Sequence, residues 1–122
     1  MAATQRVLIA EDHGDVAETL RDAFEQAGHA ATACRTFEEA RGVLSGQDFD
    51  VLVTDVRLAA FNGLQLAVIA RDKTPAIRIV VISGFDDPVL RGEARRLGAS
   101  YLLKPITSER LRKVIEGDSE LD

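Results

Sequence analysis

The sequence predicts one α/β domain built on a five-stranded parallel sheet, doubly wound with helices on both faces. Two observations support this fold class. Short β-rich apolar segments recur five times along the 122 residues, and amphipathic helical patterns fill the gaps between them. Three of the five segments are apolar on both faces, as in parallel strands covered by helices. Right-handed crossovers then place helices on either side of the sheet.

The five predicted strands and the helices between them follow one another with short connections. The strands are predicted at residues 7–10, 30–33, 51–53, 79–82 and 101–103. Helices carry recognisable start and stop signals, because short polar side chains cap first turns and glycine ends last turns. The first helix has apolar residues in helical register from Val16 to Ala27, and Gly28 stops it. The second begins with capping-box spacing at Thr36 and ends near Gly46. Asn62-Gly63 precedes the third helix, Asp87-Pro88 begins the fourth, which ends at Gly98, and Thr107 precedes the last.

Composition and charge exclude several classes of protein. The net charge is −5 and the 15 basic residues form no run, which argues against direct nucleic-acid binding. No apolar run approaches the roughly 20 residues that span a bilayer, and the amino terminus lacks a signal-peptide pattern. We therefore expect a cytoplasmic protein without membrane association. Cys34 is the single cysteine and is predicted to be a small buried apolar residue, whereas His13 and His29 are predicted at the surface.

Polar residues stand where four of the five predicted strands end. Glu11 and Asp12 follow the first strand, Asp55 ends the third, Ser83 the fourth, and Lys104 the fifth. In an open α/β sheet the ligand site lies beyond the carboxyl ends of the strands. The sequence therefore predicts that three carboxylates, a hydroxyl and an ammonium group meet at this edge.

These residue types suit phosphoryl transfer. Three neighbouring carboxylates repel one another unless a cation lies between them, and oxygen ligands favour Mg²⁺. No cluster of histidine and cysteine favours zinc. Asp55 can act as a nucleophile toward phosphorus, with Mg²⁺ and Lys104 neutralising charge and the Ser83 hydroxyl donating a hydrogen bond to the phosphoryl group.

The chain resembles the receiver domains of two-component response regulators over essentially its whole length. The resemblance rests on five motifs in family order: Glu11-Asp12, Thr54-Asp55-Val56-Arg57-Leu58, Asn62-Gly63, Ser83-Gly84 and Lys104-Pro105. It implies the flavodoxin-like strand order 2-1-3-4-5, as in chemotaxis regulators, with Asp55 as the phosphoacceptor. It further implies that Ser83 and Lys104 contact the phosphoryl group and that Ser83 and Tyr101 form a conformational switch. The implied Mg²⁺ ligands are Glu11, Asp12, Asp55 and the backbone carbonyl of Arg57.

The resemblance also implies partners. The phosphodonor is expected to be a sensor histidine kinase or a phosphotransfer protein, docking near Val16, Thr19 and the Pro105-Ile106 segment. The face from the fourth strand to the last helix is expected to bind an output domain or a second copy, giving a possible homodimer. Residues 1–117 are assigned to the receiver domain, and residues 118–122 to a polar tail or the start of a linker. One departure is Ala59, which stands where the family usually has proline and leaves that loop without a fixed φ angle.

Two other functions are compatible with an α/β fold of this kind. A non-phosphorylated receiver-like interaction module is disfavoured, because degenerate members typically lose part of the acid, hydroxyl and lysine set. A phosphohydrolase would need a second aspartate two residues after Asp55, where Arg57 stands, and a nucleotide-binding enzyme would need a glycine-rich loop after the first strand. The protein is therefore expected to be a phosphoacceptor rather than a turnover enzyme. Arg57 and Phe85, each two residues past a site residue, are hypothesised to shield the aspartyl phosphate from water.

Overall fold

A computed structural model describes residues 4–58 and 61–116 and shows an α/β fold with one main sheet. In chain order its elements are β1 (Arg6–Ala10), α1 (Gly14–Gln26), β2 (Ala30–Cys34), α2 (Phe37–Gly46), β3 (Val51–Asp55), β4 (Arg57–Leu58), β5 (Phe61–Asn62), α3 (Gly63–Lys73), β6 (Arg78–Ser83), α4 (Pro88–Arg96), β7 (Ser100–Leu103) and α5 (Ser108–Ile115). The main sheet is parallel, with the order β2-β1-β3-β6-β7. Counting only these five strands, the order is the predicted 2-1-3-4-5, and the predicted fold class is confirmed.

The sheet separates two apolar layers. Along β1 the side chains alternate, so that Val7 and Ile9 pack with α1 and α5 while Leu8 packs with α2, α3 and α4. This alternation is the two-residue period of a strand, and both sides are apolar because helices cover both. Phe24 and Leu111 fill one layer, and Leu66 is fully buried in the other. On the three central strands, β1, β3 and β6, the polar side chains therefore lie at the ends of the sheet.

The predicted helix starts and stops are confirmed by specific contacts. Each predicted cap side chain accepts a hydrogen bond from a backbone N–H in the first turn of its helix, as N-caps do. These pairs are Thr36 with Glu39, Asn62 with Leu64, Asp87 with Val89 and Leu90, and Thr107 with Arg110. Gly28 and Gly98 adopt φ angles of 94° and 71°, the left-handed conformation that glycine favours at a helix end.

One element of the fold adds to the sequence prediction. A short antiparallel pair, β4 with β5, follows Asp55 and was not predicted. Two-residue strands carry too little pattern to detect. The segment between them contains Ala59, which lies outside the described residues, as do Gly117 and the predicted 118–122 tail.

The expected surface position of His29 is wrong. Only 5% of this residue is exposed, and its ring packs edge-on toward Phe24. Its Nδ1 accepts a hydrogen bond from the backbone N–H of Gln5, and its Nε2 lies 3.1 Å from Glu116 Oε2. These contacts with segments distant in sequence enclose the ring, and no local pattern predicts them. Cys34 is buried, as predicted. No helix within the described ranges combines the length and apolar character needed to cross a bilayer.

Candidate functional site

The carboxyl ends of the strands bring the predicted site residues together. Glu11 follows β1 directly, Asp55 is the last residue of β3, and Ser83 is the last of β6. Lys104 follows β7, and its backbone N–H donates to the carbonyl of Ser83 at 2.7 Å. Because the strands are parallel and in register, four separate segments of the chain meet at this edge.

A close ionic contact lies at the centre of the edge. The Nζ of Lys104 is 2.5 Å from Oδ2 of Asp55 and 3.4 Å from Oε1 of Glu11. The side chains of Glu11 and Asp55 are only 5% and 8% exposed. Charged hydrogen bonds of this kind are among the stronger ones in proteins, and here they are largely withdrawn from water.

Burial and proximity give the two carboxyl groups different proton affinities. Burial, reinforced by the hydrogen bond and charge of Asp55, raises the pKa of Glu11 to about 7, and Lys104 opposes this only in part. Burial would also raise the pKa of Asp55, but hydrogen bonds from Glu11, from Lys104 and from the backbone N–H of Arg57 outweigh it and hold that pKa below its ordinary value. Of the two acids, Glu11 therefore holds its proton to the higher pH, and Asp55 carries the negative charge.

The ammonium group responds to the same charges. Burial alone would lower the pKa of Lys104, but the hydrogen bond and charge of Asp55, together with those of Glu11, raise it above its ordinary value. Lys104 therefore stays charged. An ionised nucleophile and a fixed cation lie side by side at the base of the site.

The acidic residues after β1 have oxygens suited to a cation. Oε2 of Glu11 and Oδ1 of Asp12 are buried and find no hydrogen-bond partner within the described residues. Buried polar atoms are nearly always partnered, so orphans of this kind point to a missing ligand. Carboxylate oxygens are the donors that Mg²⁺ takes, so these residues fit such an ion. Arg57 begins β4 beside them and donates its N–H to Oδ1 of Asp55 at 3.0 Å.

Ser83 and Tyr101 meet at one backbone carbonyl. The Ser83 hydroxyl lies 3.0 Å from the carbonyl oxygen of Phe85 and accepts a hydrogen bond from the N–H of the same residue. The hydroxyl of Tyr101 donates to that same carbonyl oxygen at 2.8 Å. Tyr101 is only 4% exposed, and the guanidinium of Arg91 lies 4.8 Å from its ring centre. Ser83 thus borders the site, whereas Tyr101 reaches it only through the segment between them.

A cavity of about 260 Å³ opens above Asp55. Asp12, Ser83 and Lys104 are among its lining residues. Arg57 and Phe85 also line it, with the guanidinium 5.0 Å from the ring centre. This cation–π contact spans the cavity rim, because one partner follows β3 and the other follows β6.

Gly63 explains why the Asn62-Gly63 motif matters for the site. A Cβ atom at this position would lie 1.9 Å from the carbonyl oxygen of Asp55 and 2.8 Å from Oγ1 of Thr54. The N–H of Gly63 also donates to the carbonyl of Val56 at 2.7 Å. Only glycine allows α3 to begin this close to the end of β3, which fixes the backbone that carries Asp55.

Reasoning from sequence missed one contact of the site. His13 is exposed as predicted, yet its Nδ1 lies 3.3 Å from Oδ1 of Asp12 and 3.5 Å from Oε1 of Glu11. Its position next to the acidic pair was the available signal. A largely apolar groove of about 650 Å³ leads from Asp55 between α1 and the segment after β7, beside the Val16 and Pro105-Ile106 positions where the phosphodonor is expected to dock. Val16, Leu20 and Ile106 are among its lining residues.

Comparison with known proteins identifies the family. A family model described as the response regulator receiver domain matches residues 7–116. The alginate biosynthesis transcriptional regulatory protein AlgB of Pseudomonas aeruginosa is 29% identical over 108 residues, which make up 88% of this chain and 24% of AlgB. The chain thus spans about a quarter of the length of this relative.

Solved structures agree with this result. A response regulator from Burkholderia pseudomallei, with a phosphorylated aspartic acid, a calcium ion and citrate, matches with a TM-score of 0.87 and 26% identity, over 95% of this chain and 69% of that one. The beryllofluoride-activated receiver domain dimer of NtrC4 matches with a TM-score of 0.84 and 25% identity, over 96% and 98%. Receiver domains are phosphoacceptor signalling modules of two-component systems rather than turnover enzymes. The chain belongs to the response regulator receiver domain family.

Proposed function

We propose that Asp55 accepts a phosphoryl group from a phosphohistidine of a sensor histidine kinase or a phosphotransfer protein, in a Mg²⁺-dependent reaction. The observation that carries this proposal is the ionised Asp55 carboxylate, bonded to Lys104 at the floor of an open cavity. A carboxylate oxygen forms the new bond to phosphorus while the phosphorus–nitrogen bond breaks, and the donor imidazole keeps the electron pair and takes up a proton. The aspartyl phosphate that results is a mixed anhydride.

The neighbouring residues divide the charge of the transferring group. Glu11, Asp12, Asp55 and the backbone carbonyl of Arg57 are proposed to hold Mg²⁺, which when bound neutralises phosphoryl charge. Once Asp55 is phosphorylated, the Lys104 ammonium group is proposed to move from the Asp55 carboxylate to one of the phosphoryl oxygens. The Ser83 hydroxyl is proposed to donate a hydrogen bond to another phosphoryl oxygen. The orphan carboxylate oxygens beside Asp55 support this arrangement.

The same hydroxyl links phosphorylation to a surface change. Ser83 and Tyr101 both contact the carbonyl of Phe85, so a Ser83 hydroxyl that turned to the phosphoryl group would leave this carbonyl to Tyr101 alone. We propose that this exchange shifts the segment between β6 and α4 and changes the face formed by β6, α4, β7 and α5. Val89 on this face is 68% exposed, which suits a partner or a second copy of the chain. The NtrC4 receiver, which is similar, forms a dimer when activated.

The phosphodonor is proposed to dock in the apolar groove beside Asp55. Val16 on α1 and Ile106 after β7 border this groove, and it opens next to the acceptor carboxylate. A helical partner that covered it would exclude water from the transfer. The receiver domain is proposed to extend over residues 1–117, and the family match over residues 7–116 supports this extent. Its proposed location is the cytoplasm.

Intact-mass spectrometry tests the central proposal. Incubation with acetyl phosphate and Mg²⁺ should add one phosphoryl group, and either chelation of the metal or Asp55→Asn should abolish it. Asp50→Asn is a matched control, because Asp50 lies at the opposite end of β3 and binds the N–H of Arg6. No phosphorylation of the folded wild-type protein would instead favour a non-phosphorylated interaction module, and a phosphoryl group that survived Asp55→Asn would place the acceptor elsewhere.

A further inference from the structure

Three consecutive residues after β1, Glu11, Asp12 and His13, have side-chain atoms close together that could bind a metal ion. One carboxylate oxygen from each of Glu11 and Asp12 and one ring nitrogen of His13 all lie within 4.8 Å of each other. The Nδ1 of His13 is 3.3 Å from the Asp12 oxygen and 3.5 Å from the Glu11 oxygen. Ligands at right angles on one ion, each about 2.1 Å from it, lie roughly 3.0 Å apart. The spacing of the three atoms is close to that of a shared ion.

Hydrogen bonding does not account for this arrangement. Oδ1 of Asp12 is buried and without a hydrogen-bond partner even though the imidazole nitrogen is 3.3 Å away. The second oxygen of the Glu11 carboxylate, Oε2, is also unpartnered, on a side chain 95% buried, whereas Oε1 faces both His13 and Lys104. His13 occupies the N-cap position of α1, yet its side chain caps no backbone N–H. Its Nδ1 instead faces the oxygens of Asp12 and Glu11, where a metal ion or a proton on the imidazole would offset their charge.

We propose that His13 supplies a nitrogen ligand to the cation site of this receiver, so that the site favours borderline divalent ions such as Co²⁺ over Mg²⁺ more strongly than its carboxylates alone would. The inference rests on the proposed function, because it uses the same carboxylates. Mg²⁺ prefers an all-oxygen shell, whereas imidazole suits first-row transition ions, whose affinity rises along the series from Mn²⁺ toward Cu²⁺. His13 thus sets the metal preference of the site and leaves the phosphoacceptor unchanged.

Pulsed electron paramagnetic resonance of the Mn²⁺-loaded protein tests this proposal directly. The spin-echo modulation should show a coupled imidazole nitrogen in the wild type and lose it in His13→Gln. Titrations of the same two proteins should show the ratio of Co²⁺ to Mg²⁺ affinity falling roughly tenfold or more in the variant, because a nitrogen ligand is lost. Asp12→Asn is the second variant and should weaken all three ions alike.

The outcomes separate this inference from the proposed function. Mn²⁺ bound without nitrogen coupling, or with a coupling that persists in His13→Gln, overturns the role of His13 while metal-dependent phosphorylation of Asp55 stands. Failure of every ion to bind the folded wild-type protein overturns the metal site itself and the proposed function with it. An unchanged ratio of Co²⁺ to Mg²⁺ affinity in His13→Gln also contradicts the proposal.

Discussion

The two ends of the parallel sheet differ in how well their buried polar side chains are hydrogen-bonded. At the carboxyl end, Glu11 and Asp12 have buried oxygens without partners, and Asp55 shares Lys104 with a neighbouring acid. At the amino end, His29 bonds through both ring nitrogens, to Gln5 and Glu116. Partnered polar groups stabilise a fold, whereas orphaned and crowded ones cost stability until a ligand arrives. The difference separates the functional end of this domain from its structural end.

Long basic side chains show the same contrast. At the amino end, Arg71 donates to the carbonyl oxygens of Pro75, Ile77 and Leu97, which joins the segments that lead into β6 and β7. Lys73 likewise donates to the carbonyl of Gln47 before β3. These cations satisfy backbone acceptors. Lys104, at the other end, contacts only ionisable side chains through its ammonium group among the described residues.

The largest expected effect is on phosphorylation, from Lys104→Met. Loss of the ammonium group removes a fixed charge at the transferring phosphoryl oxygens, so the rate of phosphorylation by acetyl phosphate should fall by about 100- to 1,000-fold. Arg71→Met, a matched loss of a cation at the amino end, should leave this rate within about twofold and instead lower the free energy of unfolding. Rapid-quench mass spectrometry gives the rates. Equal rate losses in the two variants would remove the proposed distinction between the ends.

The next effect is on stability, from His29→Ala. The backbone N–H of Gln5 loses its acceptor and the buried ring leaves a cavity, so the free energy of unfolding should fall by about 2 kcal/mol. His29→Asn retains an acceptor near the Nδ1 position and should cost about half as much. Urea unfolding measures both, and acetyl phosphate labelling should proceed at the wild-type rate. Identical losses in the two variants would show that the bond to Gln5 contributes nothing.

Sequence pattern predicts the two ends unequally. The carboxyl end is readable because Glu11, Asp55 and Lys104 each follow an apolar strand, and parallel strands end at one edge. The burial of His29 at the amino end could not be predicted in this way, because its contacts are with residues 24 and 87 positions away in sequence. A local pattern of apolar residues carries no information about such distant contacts. The β4–β5 pair and the approach of His13 to Asp12 were missed for a different reason, because both are local and depend on loop geometry that no apolar period encodes.

A third effect concerns pH and the proton that Glu11 retains. Its pKa in the folded protein, about 7, lies above the ordinary value of 4.5. The folded state therefore binds more protons than the unfolded chain between these values, and its stability falls as pH rises through 7. Glu11→Gln mimics the protonated acid, so it should raise the free energy of unfolding by about 1 to 3 kcal/mol near pH 8, with no gain below about pH 4.5.

Unfolding curves at several pH values, without added metal, measure this effect. The pKa values of Asp55 and Lys104 move away from neutrality, downward and upward respectively, so neither group titrates in the window that Glu11 controls. Asp50→Asn is a matched control for removal of an acid at the amino end, where the carboxylate bonds to the N–H of Arg6. It should lower stability near pH 8. A gain from Asp50→Asn, or none from Glu11→Gln, would contradict the assignment of strained acids to the carboxyl end alone.

The smallest expected effect is on the lifetime of the aspartyl phosphate. Arg57 and Phe85 contact each other in the lining of the cavity above Asp55, so the pair should restrict the approach of water to phosphorus. A partly exposed cation–π contact is worth about 0.5 to 1 kcal/mol, so Arg57→Ser should speed dephosphorylation about two- to fivefold. Phe85→Ser should do the same, and the double variant should add little because either loss opens the rim. As a control, Arg6→Ser breaks the Arg6–Phe49 cation–π contact at the amino end of the sheet and should leave the dephosphorylation rate unchanged. Faster dephosphorylation in Arg6→Ser would instead indicate a general effect of weakened packing.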